Sequence, residues 1–114
     1  MTKIQLSQGC ERWQIGDANK HTPADAAFLG AVAQAGFLAF TGPGGLCGGK
    51  SETRSTIAIH RGRGTKWELV FRENEIDVVT TTTTDLANAT KAILAWLRGK
   101  SLAVAEDSLH AVAG

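Results

Sequence analysis

No apolar run in this chain approaches the roughly 18 residues that a membrane-spanning helix needs, so no spanning segment is expected. Charge of one sign is equally lacking. Twelve Lys and Arg face eleven Asp and Glu, which leaves a formal net charge of +1. Without a global field, attraction to nucleic acid or acidic lipid must come from a local patch. Cysteine is sparse: Cys10 and Cys47 are too few for a disulfide scaffold, and both are read as free thiols. The stretch MTKIQLSQGCERW has neither the continuous apolar core nor the cleavage site of a signal peptide. A cytoplasmic protein is therefore expected. Tyrosine is absent, which leaves Trp13, Trp67 and Trp96 as the conspicuous large aromatics.

What is present is enough for one core. The chain has 114 residues, 43% hydrophobic and 20% charged, a globular rather than a disordered composition. A single domain over residues 1–114 is expected. Residues 3–15 alternate in two pieces, Ile4 with Leu6 and Trp13 with Ile15, as a strand pair or an interrupted strand does. Thr22 then suits a helix N-cap, Pro23 the first helical position, and Asp25 the third residue of a capping box. Phe28, Leu29, Val32 and Ala33 follow at helical spacing, and Gly36 ends the helix.

FLAFT reads as a short buried strand and TGPGGLCGGKS as a loop. TIAIH and KWELVF alternate around RGRGT as a hairpin, and Glu73-Asn74 turns into the β-branched EIDVVTTTT, where Ile76 and Val78 share a face. Asp85 caps a helix whose stripe is Leu86, Ala89, Ile93, Leu94 and Leu97, and which Gly99 stops. Ser101 opens a last helix with a thin stripe of Leu102, Ala105, Leu109 and Val112. The order predicts an α+β fold: a mostly antiparallel sheet of about five strands, one helix inserted early and two helices at the carboxyl terminus.

Gly44–Ser51, GGLCGGKS, fits the pattern G-x-x-x-x-G-K-[ST] of phosphate-cradling loops. Such a loop needs a strand before it and a helix directly after it, so that the helix amino terminus faces the anion. Here ETRSTIAIH follows, with Ile57 and Ile59 two apart, which is strand chemistry. Nucleotide hydrolysis is not expected; nucleotide-phosphate binding at the Gly44–Ser51 loop, or a simpler anion site at Gly44, Gly49, Lys50 and Ser51, remains as an alternative.

The hairpin tip, residues 60–67, carries Arg61, Arg63, Lys66 and Trp67, a fork-and-stack chemistry suited to nucleic acid. Lys50, Arg54 and Arg72 would enlarge that patch in a favourable register. Cys47, His60 and Asp77 are the residue types of a thiol triad, but nothing in their spacing supports one. No two of Cys10, His21, Cys47, His60 and His110 stand at metal-ligand spacing, and no metal or cofactor is expected. The expected role is a non-enzymatic binding or assembly module, with a second copy or another protein as partner. Trp96, Leu102 and Leu109 are candidate interface residues, and nucleic acid at the hairpin tip is the alternative partner.

Overall fold

The computed structural model describes residues 9–60 and 66–100. Short turns between alternating segments build an antiparallel meander. Its strands are β1 (Glu11–Arg12), β2 (Leu38–Gly42), β3 (Leu46–Lys50), β4 (Arg54–His60), β5 (Trp67–Glu73) and β6 (Ile76–Thr83). They lie in sequence order in one six-stranded sheet, every neighbour antiparallel. Helix α1 (Pro23–Gln34) sits between β1 and β2, and α2 (Leu86–Leu97) follows β6. This is the expected α+β architecture, with six strands rather than about five.

Two segments differ from expectation. The alternation near the amino terminus yields only the two-residue β1, followed by a 3-10 turn over Ile15–Lys20. Trp13 is buried whereas Ile15 is exposed, so they do not share a face; Ile4 and Leu6 lie outside the described residues. The stretch expected as a glycine-rich loop is a hairpin instead: Pro43–Gly45 turn, and Leu46–Lys50 forms a strand paired on both sides. Ladder bonds to β2 and β4 together outweigh the poor strand propensity of glycine. The helix expected from Ser101 lies outside the described residues.

The helix signals are met more closely. Thr22 Oγ1 accepts from the Asp25 amide at 3.4 Å, and Gly36 leaves α1 with φ +92°. Asp85 accepts from the Asn88 amide at 3.1 Å, and Gly99 follows α2 with φ +88°.

Both helices cover the same face of the sheet. Register places Ala39, Gly49, Thr56, Phe71 and Val79 in one row beneath them, with Thr41, Cys47, Ala58, Leu69 and Thr81 in the next. Phe28, Leu29, Val32, Leu86, Ile93 and Leu97 close over these rows as the core. A Cβ at Gly49 would lie 2.9 Å from Val32 Cγ1 and 3.0 Å from Leu97 Cδ1, so both helices rest where β3 has no side chain. Gly48 does the same for the opposite face, where a Cβ would meet the Phe40 ring at 2.5 Å and the Thr56 carbonyl oxygen at 2.6 Å.

Among the described residues no helix lies over that second face, the open face in this sense alone. It carries Leu38, Phe40, Leu46, Ile57, Ile59 and Val70, most of them half-buried. The β5–β6 register shifts between Phe71 and Arg72, so Val78 is an additional residue on β6. The shift turns Val79 toward the core and leaves Ile76 and Val78 69% and 44% exposed.

Arg54 binds α2 to the sheet. Its Nε donates to Glu73 Oε2 at 2.7 Å, and its Nη1 donates to the Trp96 and Lys100 carbonyls at 3.1 and 2.6 Å. The guanidinium also stands 4.0 Å from the centroid of the Trp96 ring. A cation thus sits at the negative pole of the α2 dipole, where it joins the Gly99 amide on the Trp96 carbonyl and also donates to that of Lys100 just beyond the helix.

Two substitutions test this frame. Gly48→Ala is expected to destabilise by about 2 kcal/mol, because one of the atoms it meets is backbone and cannot swing away; urea unfolding measures it. Arg54→Met keeps the stem but removes the donor to Glu73 and to the Trp96 and Lys100 carbonyls, and is expected to cost about 2 kcal/mol by the same method.

Candidate functional site

The anion-site residues do not converge. Gly44 sits in the β2–β3 turn with φ +75°, whereas Lys50 and Ser51 lie at the far end of β3. A five-residue strand spans roughly 16 Å, several times the size of a phosphate group. Gly49 is buried beneath the helices, and the Ser51 hydroxyl is hydrogen-bonded with the Arg54 amide and carbonyl at 3.2 Å. No helix follows Ser51; β4 does.

The three basic strand residues near this end are each matched with an acid. Lys50 lies 3.8 Å from Glu75, Arg54 2.7 Å from Glu73 and Arg72 2.7 Å from Asp77. Arg54 is on the helix-covered face, whereas Lys50 and Arg72 share the open one, so the three do not form one patch. Arg61 and Arg63 lie outside the described residues, and Lys66 is exposed. Trp67 is only 7% exposed; its ring lies 4.7 Å from that of His60, its cross-strand partner.

Trp96, expected at the margin of its helix stripe and in an interface, is 3% exposed. It meets the Phe71 ring edge-on at 6.0 Å and donates its indole N–H to the Arg72 carbonyl at 3.1 Å. Its surface is consumed within the chain. Leu102 and Leu109 lie outside the described residues. Cys47, His60 and Asp77 do not assemble: Asp77 is bound to Arg72 on the open face, whereas Cys47 and His60 are on the covered one. Among the described residues, no three His, Cys, Asp or Glu side chains are grouped as metal ligands.

What the fold does bring together is a cavity of about 570 Å³ at the end of the sheet where both helices begin. Four segments line it: the start of α1 with Thr22, Ala24 and Asp25; the turn at Gly45; His60 and Trp67; and Thr84 to Ala87 at the start of α2. Its size lies within the range of small-ligand sites. Asp85 spends both carboxylate oxygens on Asn88, at 3.1 Å to the amide and 2.8 Å to Nδ2.

Asp25 is different. Its amide uses the Thr22 cap, but its carboxylate does not reach back as a capping box requires. Oδ1 is instead buried with no hydrogen-bond partner, and the carboxylate is near enough to Cys47 for its charge to act on the thiol. Burial, reinforced by the Asp25 charge, pushes the Cys47 thiol well above its ordinary range. A thiol so held is not a nucleophile. Thr22, Asp25 and Asp85 are visible in the sequence as capping residues, but nothing local tells that the two helix starts meet in one cavity.

The thiols differ accordingly. Cys10 is half-buried and Cys47 is 2% exposed. Ellman's reagent is expected to titrate one thiol per chain in buffer and both after unfolding, with a Cys10→Ser variant silent until denatured.

No protein-family model, no curated protein and no solved structure matches this chain.

Proposed function

We propose that this protein is a non-enzymatic assembly module that self-associates through β6. The observation that carries the reading is the state of that strand. Among the described residues, no strand pairs with its outer side, and it holds two of the three large hydrophobic residues that are strongly exposed, Ile76 and Val78. Soluble proteins usually blunt such an edge with lysine, proline or a short strand. β6 runs for eight residues, contains neither lysine nor proline, and its one charge, Asp77, is engaged by Arg72. Its bulge comes early, at Val78, which leaves Val79–Thr83 regular.

Geometry constrains the pairing. Residues directly opposite in an antiparallel ladder share a face. Two copies related by a two-fold axis and joined β6 to β6 therefore keep all their helices on one side. The faces without helices then merge into one surface, where the half-buried Leu38, Ile57 and Val70 of each copy line up for a further protein partner.

Light scattering over a concentration series to high micromolar is the test. The expected mass is twice that of the chain, and Val78→Lys or Thr80→Lys is expected to weaken association at least about tenfold by charging the edge. A monomeric mass throughout, or a dimer indifferent to both substitutions, would overturn the reading.

A further inference from the structure

The cavity between the helix starts is the strongest feature that self-association leaves unused, and its electrostatics select a class of ligand. Both helices have twelve residues and both amino termini point to it. Each terminus is worth about half a positive charge, so the pair contributes about one. Against this stand two carboxylates, Asp25 and Asp85. The balance is about one negative charge, and an anion is disfavoured despite the helix ends.

The two acids are not equivalent. Asp85 is exposed and already accepts one hydrogen bond on each oxygen from Asn88. Asp25 has one oxygen sealed from water without a donor, and no cation among the described residues pairs with it. A carboxylate desolvated on one side and unpaired gains most from a charged donor on the other. The remaining walls are apolar or aromatic: Ala24, Leu86 and Ala87, with Trp67 held against His60. Trp67 is 7% exposed, so it contributes apolar wall to the cavity rather than an open ring face.

We propose that this cavity binds a small organic cation, an ammonium group on an aromatic or apolar body, with Asp25 receiving the ammonium and Trp67 flanking the body. Thr22 and Thr84 stand at the lining as hydroxyl partners for the remaining N–H groups. The site does not involve β6 and stands or falls independently of self-association.

The test is an amide-resolved NMR titration at pH 7.5 and constant ionic strength with three probes of similar shape. These are phenethylammonium, the neutral phenethyl alcohol and the anion 3-phenylpropionate. Saturable shifts at Ala24, Asp25, Leu86, Ala87 and the Trp67 indole with the ammonium, at least about tenfold weaker with the other two, are expected. Asp25→Asn, nearly the same shape, is expected to abolish the preference for the ammonium while its thermal unfolding reports an intact fold. Asp85→Asn keeps a good N-cap and removes the same formal charge, and is expected to weaken binding far less. No saturable shift, equal binding of the three probes, or equal losses from the two Asn substitutions would overturn the proposal.

Discussion

Everything on both faces of the sheet depends on the absence of side chains at the centre of β3. At Gly49 the two helices come down onto bare backbone, with Val32 and Leu97 in the space that any other residue would occupy. At Gly48 the Phe40 ring does so from the opposite side. Interiors are packed closely enough that a single methyl group at such a point must displace something. The approach at Gly49 also brings α1 and α2 alongside each other. Both start at the same end of the sheet, so their dipoles add there instead of cancelling, which gives the cavity its electrostatic character.

The other end of the molecule is fastened by Arg54. One side chain joins β5 through Glu73, the end of α2 through two carbonyls, and the Trp96 ring through its flat face. The sheet is thus held firmly where the helices finish. The cavity lies at the opposite end, where the helices begin.

Local chemistry made much of this legible. Thr22, Asp85, Gly36 and Gly99 mark helix ends through capping and left-handed backbone, which depend only on near neighbours. The alternation in TIAIH and KWELVF was enough for β4 and β5. What escaped was non-local. LCGGK is a strand because β2 and β4 pair with it on either side, not because its residues favour extension. Val78 breaks the two-residue period of β6, so an alternating pattern assigned Ile76 and Val78 a shared face without telling that both are outside. Trp96 looked marginal on its helix because Arg54 and Phe71, which cover it, come from other elements. The cavity draws on four separate segments, and no spacing rule joins them.

Among the described residues the two edges of the sheet are unequal, which bears on how far the proposed assembly would run. A head-to-tail contact of β6 on β1 would repeat indefinitely and grow a fibre, whereas β6 on β6 uses up the same edge of both copies at once. β1 offers only Glu11 and Arg12, too short a ladder and too charged to compete with eight residues of β6. The dimerisation proposed through β6 would be self-terminating: the edge that would invite a partner is the one that the first partner removes.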